Sequence, residues 1–331
     1  MAAGAEPVAA ARVAPRAARG RVADVRRTVR VRHRIEFAVV RAIAGVLAAL
    51  PLAVALRVGA AVGTIFYLVS PRHRRIGMRN LAIAFPERPV RERRRILRRS
   101  LQNLGRTAVE LVRLPALDDD DLRAMVRFED EAWWHEAIRR ERDTGGLILS
   151  GHFGNWELLV YAHGRRGYPV SMVHRTIANP LVDSWLNGIR ARAGTRLVRK
   201  ARAAVGVLRA MRDHELLVLP FDQNSTRGLG VFVPFFGLPA STNSGIARIA
   251  LRTDAPIVPV FIVREGRSAR HVVHVLPLLH AEHTGDFERD VVDTTARCSR
   301  VFEDMVRRYP EQWLWIHRRW KTRPDGEERF Y

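Results

Sequence analysis

The stretch LILSGHFGNWELLVYAHG, residues 147–164, sets a histidine and a glutamate five residues apart between two apolar runs. An imidazole, with an unperturbed pKa of about 6.5, can take up a proton near neutral pH. A carboxylate bonded to its second ring nitrogen fixes the tautomer and stabilises the imidazolium that forms. His152 and Glu157 are therefore a candidate acid–base pair, with Glu157 expected to hold the ring. Asn155 is placed to cap a following helix, whose first N–H groups suit an anion or oxyanion.

Other reactive groups are few. Cys298 is the only cysteine, so neither a disulfide within the chain nor a cysteine zinc site can form. No GxSxG nucleophile elbow occurs. His271 and His274 lie three apart on an expected strand, point to opposite faces and make a poor metal pair. No metal and no cofactor are expected.

The elements that must position His152 follow from periodicity. Gly146–Ser150 reads as a buried strand and Asn155–Gly164 as a helix. Short apolar runs at 146–150, 169–173, 216–221, 257–263 and 271–276 alternate with helical stretches around 156–164, 180–193, 201–212 and 243–252. That alternation predicts an α/β fold, a sheet flanked by helices, over residues 126–331. VFVPFFG, 231–237, reads as a strand and turn, with lining of an acyl channel as the alternative. Trp313, Trp315 and Trp320 read as core and interface aromatics, with a headgroup-level belt as the alternative.

Upstream the chain divides further. Residues 1–34 hold nine arginines against Glu6 and Asp24 and read as a flexible basic arm. Residues 35–70 form an apolar segment broken by Arg41, Pro51 and Arg57, long enough to reach into a bilayer. A further helical region, 71–125, includes 91–114, with Ile96, Leu97, Leu101, Leu104, Ala108, Leu111 and Val112 on one side, ended by Pro115 and Asp118–Asp121. Window 71–99 carries eleven arginines against Glu87 and Glu92. Basic flanks on both sides favour a shallow helical hairpin hinged at Pro51 over a single crossing. With 56 Lys+Arg against 34 Asp+Glu, a net charge of +22, the chain calls for an anionic partner such as a membrane surface or an acidic protein. Nucleic acid is not favoured, because aromatics are not interleaved with the basic runs and no recognition motif occurs.

Four words occur in order: MRNLAIAFPE (78–87), SGHFGNWE (150–157), LPFDQNSTRGLGVFVPFFGLPASTNSGIARIALRTDAPIVPVF (219–261) and PEQWLWIHRRWKTRP (310–324). In these the chain resembles the late (lauroyl/myristoyl) acyltransferases of lipid A biosynthesis, within the HxxxxD/E glycerolipid acyltransferases, over about residues 37–324. The resemblance implies a mixed central sheet flanked by helices with an N-terminal helical membrane segment. It implies transfer of a fatty acyl chain from acyl carrier protein to a hydroxyl of a lipid A precursor, at the cytoplasmic face of the inner membrane. His152 and Glu157 match the family's catalytic pair. Asn155, Arg175, Arg190, Asp222 and Gln223 are implied as substrate contacts, with Arg175 and Arg190 on the phosphorylated disaccharide. Transfer is expected to be direct, without an acyl-enzyme. Glu157 replaces the aspartate usual in relatives acting on glycerol phosphates, which argues against those acceptors. The same motifs would also fit a phosphatidylinositol mannoside or other glycolipid acyltransferase using acyl-CoA.

Overall fold

The computed structural model describes residues 29–129, 144–200 and 203–331. Most of the expected basic arm, 1–28, lies outside them. Helix α1 (Val31–Ala49) begins inside the last residues of that arm, and Pro51 opens α2 (Leu52–Val69). Proline lacks an amide hydrogen and has a fixed φ, so it serves at a helix start where no N–H partner is needed. Helix α2 is long and apolar enough to cross a membrane, and only 22% of it is buried. Val54, Val58, Val62 and Ile65 stand exposed along one side of it.

Helices α3 (Pro71–Ala84) and α4 (Val90–Arg113) follow. Gly59 and Gly63 let α2 lie backbone to backbone on α4. A Cβ on Gly63 would stand 2.1 Å from the Leu101 carbonyl oxygen, and one on Gly105 would stand 1.9 Å from that of Gly59. Ile96, Leu97 and Leu101 of α4 are buried as its spacing predicts, but Ala108 is exposed. In its place a polar row turns inward: Ser100, Asn103, Thr107 and Glu110 are all buried. The acidic run does more than end α4. Asp118 accepts from the Asp121 amide and caps α5 (Asp119–Met125), where first-turn carboxylates suit the helix dipole.

The remaining chain alternates strand and helix: β1 (Val126–Glu129), β2 (Gly146–Ser150), α6 (Trp156–Arg165), β3 (Val170–His174), α7 (Pro180–Ala191), β4 (Arg196–Arg199), α8 (Ala203–Arg212) and β5 (Leu216–Pro220). A hairpin, β6 (Gly230–Phe235) and β7 (Leu238–Asn243), then leads to α9 (Gly245–Thr253), β8 (Ile257–Arg264), β9 (His271–Val275) and α10 (Phe287–Arg308). Seven strands form one mixed sheet in the order β1-β9-β8-β2-β5-β3-β4. Strands β8, β2, β5, β3 and β4 are mutually parallel, and β9 returns antiparallel to β8. Buried on both faces, β2 and β8 read as unbroken apolar runs. Leu147 and Leu149 enter the core on one face and Ile148 the core on the other. The separate β6–β7 hairpin, seen in the sequence only as a strand and turn, closes through Phe236 and Gly237, both with positive φ.

Candidate active site

Parallel pairing of β2 with β5 sets Ser150 opposite Pro220. Two residues beyond each strand end stand His152 and Asp222, at the carboxyl edge where parallel sheets gather their reactive groups. The His152 Nδ1 lies 3.0 Å from Asp222 Oδ1. The other carboxylate oxygen, Oδ2, accepts from the Trp313 indole N–H at 3.0 Å. His317 Nε2 stands 3.1 Å from the Asp222 carbonyl oxygen. His152 is partly open to solvent, while Asp222 and Trp313 are fully enclosed.

Only glycine fits on either side of this histidine. A Cβ on Gly151 would come within 2.6 Å of both Cγ and Oδ1 of Asp222. Gly154 has φ +56°, and a Cβ there would meet the Ile262 carbonyl at 1.7 Å. The C-terminal segment runs antiparallel alongside. The Leu314 amide donates to the His152 carbonyl at 3.1 Å, and the Gly154 amide to the Gln312 carbonyl at 2.8 Å. That segment is itself held from α3 and α4. The Asn80 amide donates to the Trp315 and His317 carbonyls at 2.6 and 2.7 Å, Asn103 donates to the Glu311 carbonyl at 3.0 Å, and Ser100 donates to the Trp313 carbonyl. Trp313, Trp315 and Trp320 are 0% exposed and pack with Phe153, Phe235 and Phe85. They are core residues, and Trp313 is also a site residue. The four sequence words thus meet at one place.

The electrostatics follow from the contacts. Burial disfavours charge on His152, but the Asp222 carboxylate, its hydrogen bond and the field of Glu157 outweigh it, and the pKa lies above the ordinary imidazole value. Burial also disfavours the Asp222 anion. His152, His317 and the Trp313 N–H reverse this and hold Asp222 well below the usual carboxylate range. Burial pushes the His317 pKa down despite the nearby Asp222 charge.

Several expected roles change. Glu157 is not the ring partner of His152. Its carboxylate receives the Arg190 guanidinium as a fork, Nε to Oε2 at 2.9 Å and Nη2 to Oε1 at 2.5 Å, with 6% and 15% side-chain exposure. Arg190 is correspondingly committed to Glu157 rather than free for a substrate phosphate. Asn155 is buried, with both ends of its amide in use: Oδ1 accepts from the Leu158 amide at 3.0 Å and caps α6, while Nδ2 donates to Glu110 at 2.6 Å. It shapes the site and does not line it. Asp222 faces His152, not an open substrate surface. Gln223 is exposed beside the histidine, its Nε2 3.4 Å from Nδ1. Arg175 is exposed just beyond β3. His271 neighbours Glu110 at 3.6 Å and His274 bonds Glu129 at 2.9 Å, on separate sides of β9. Cys298 is buried in α10, where burial pushes its thiol up to about 12.

The arrangement is a part-exposed histidine with a buried carboxylate on one ring nitrogen, just ahead of a helix start. Comparison with known proteins places the chain among acyltransferases. The chain is 27% identical over 279 residues to the lipid A biosynthesis lauroyltransferase of Escherichia coli K12, covering 84% of this chain and 88% of the relative. It is 25% identical over 283 residues to the lipid A biosynthesis palmitoleoyltransferase of the same organism, covering 85% and 90%. Among solved structures, the 1-acyl-sn-glycerophosphate acyltransferase PlsC of Thermotoga maritima aligns over 74% of this chain and 97% of its own, at 13% identity and a TM-score of 0.35. The model of the bacterial lipid A biosynthesis acyltransferases matches residues 25–322, and the chain is an acyltransferase belonging to that family.

Proposed function

We propose that this acyltransferase moves a fatty acyl chain from an acyl carrier protein thioester to a hydroxyl of a lipid A precursor, with His152 as general base. The observation that carries the reading is the 3.0 Å contact of His152 Nδ1 with Asp222, which leaves Nε2 as the proton acceptor. Nε2 takes the hydroxyl proton as the oxygen attacks the thioester carbonyl. The tetrahedral oxyanion forms beside the first turn of α6. There helix geometry leaves the Trp156 and Glu157 amides without intrahelical partners, while the Leu158 amide is taken by Asn155. Collapse breaks the C–S bond, and the proton held on His152 passes to the departing thiolate. The buried thiol of Cys298, pushed up to about 12, is no nucleophile, which supports direct transfer.

The exposed apolar sides of α1 and α2, together with exposed Arg72, Arg75, Arg94 and Arg98, support attachment to an anionic bilayer at the cytoplasmic face of the inner membrane. The test is mass spectrometry of lipid A from cells with the gene, without it, and complemented with His152→Ala. A mass difference of one acyl chain between the first two, not restored by His152→Ala, is expected. Unchanged lipid A, or full restoration by His152→Ala, overturns the acceptor or the base respectively.

A further inference from the structure

A cavity of about 850 Å³ lies away from His152, between α2, α4 and the turn joining β8 to β9. Its α2 wall is mostly apolar, with Leu52, Leu56 and Ala61. Guanidinium groups enter it from three elements: Arg57 from α2 itself, Arg106 from α4 and Arg267 from the turn. Among the described residues, no carboxylate lines it. Glu110, one turn along α4 from Arg106, is engaged by a buried fork with Arg264 at 2.5 and 2.6 Å and by Asn155 at 2.6 Å.

Arg106 is 7% exposed, and Asn103 at 3.0 Å is the side-chain partner it has. Burial first, then Arg264 and Arg267, push its guanidinium below the ordinary value, with Glu110 opposing. Like charges crowd a partly enclosed space whose described lining holds no carboxylate, with the engaged Glu110 only partly opposing them. The volume falls in the range of small-ligand pockets, and forked guanidinium groups match phosphate oxygens. The apolar wall belongs to the helix whose outer side is exposed valine and isoleucine, so a ligand with a phosphate and a hydrocarbon tail meets both surfaces at once.

We propose that this cavity binds the phosphate headgroup of an anionic membrane phospholipid, with its chains running along α2. The inference rests on the membrane attachment proposed above. The phosphate is read by Arg57, Arg106 and Arg267, and the site is separate from the His152 centre.

The experiment uses the full chain in detergent micelles. Retention of phosphatidylglycerol is measured by native mass spectrometry, with phosphatidylcholine and inorganic phosphate as competitors. Arg57→Gln/Arg267→Gln alters two exposed side chains and leaves the buried Arg106 intact, and Ala61→Phe fills the cavity from α2. Wild type and His152→Ala are each expected to retain one phosphatidylglycerol. The arginine double variant should bind it about tenfold or more weakly, the effect of lost charge-assisted contacts, and Ala61→Phe should lose it. Equal retention by all four proteins overturns the site. Displacement by inorganic phosphate as readily as by the lipid overturns the lipid as ligand. Loss of retention in His152→Ala overturns its separateness and assigns the lipid to the catalytic centre. Sedimentation with mixed phosphatidylcholine–phosphatidylglycerol vesicles is run in parallel. Failure to bind those vesicles overturns the membrane attachment itself, while binding them without retaining phosphatidylglycerol overturns only the cavity.

Discussion

Asp222 meets His152 at 3.0 Å across 70 residues of chain, because the strands that precede them pair in register. Facing an ionised Asp222, the imidazole carries its proton on Nδ1 toward the carboxylate, which leaves the lone pair on Nε2. The pKa of His152 lies above its ordinary value for that reason, despite burial. A general base works only when deprotonated, so kcat/KM should fall as pH drops through a midpoint above about 6.5. Asp222→Asn removes the stabilising charge, so the midpoint should move down and the maximal rate should drop by about a hundredfold or more. Stability carries the opposite sign. A histidine with a raised folded-state pKa stabilises fully below about 6.5 and loses that contribution as pH rises through the folded value. A pH–rate profile that does not move in Asp222→Asn would remove this carboxylate from the mechanism.

The Glu157–Arg190 fork predicts a different pattern. Removing one member strands a nearly buried charge, so Glu157→Gln and Arg190→Gln should each destabilise the fold by about 3 kcal/mol. The double variant should recover most of that loss, because no unpaired charge is left behind. Since Glu157 acts on His152 only through its field, the acid limb should move far less in Glu157→Gln than in Asp222→Asn. Thermal melts and pH profiles of the four proteins check this. A full-sized shift in Glu157→Gln would return the ring-holding role to Glu157.

Gly151→Ala adds one methyl group where Asp222 Cγ would stand 2.6 Å away and the Phe302 ring 2.8 Å away. Neither neighbour is a loose side-chain end, so the carboxylate must move off the imidazole. The expected result is a fall in kcat of at least about tenfold with KM little altered. Steady-state kinetics on a variant shown by circular dichroism to be folded decides it. Wild-type kcat would mean that the Asp222 contact is dispensable.

The net charge of +22 bears on the donor. An acidic carrier protein should be steered toward the arginines exposed on α3 and α4, and that attraction is screened over about 8 Å at 0.15 M ionic strength. The apparent KM for acyl carrier protein should rise steeply with salt while kcat holds. Acyl-CoA, with a much smaller charged face, should respond less. A flat response for the carrier, with equal efficiency for acyl-CoA at matched chain length, would exchange the two donors.

The alternating strands and helices were legible because strands buried on both faces, such as Leu147–Leu149, leave apolar runs that no solvent-facing helix produces. The four-residue edge strands β1 and β4 were not, since Val126-Arg127-Phe128-Glu129 and Arg196-Leu197-Val198-Arg199 mix charge with apolar side chains. His152 stood out by its motif, and Asp222 by the FDQ word as a substrate contact, but its place on the imidazole is a consequence of strand register, which leaves no local mark. Trp313 was legible as a core residue, yet its single N–H decides the orientation of Asp222. The inward row of α4 escaped for a related reason. Polar residues at helical spacing look alike whether they meet water or the buried carbonyls that Ser100 and Asn103 bond.

Helix α4 is flanked on one side by the glycine seam with α2 and bonded through its polar row to the backbone around His152. Neither seam has slack: one is backbone against backbone, and the other is made of short side chains. The helix is therefore a rigid strut of fixed length between the apolar surface and the reacting nitrogen. The reacting ring thus keeps one fixed offset from α2. On the membrane attachment proposed above, a lipid hydroxyl that reaches it is selected by its elevation from that helix as well as by shape.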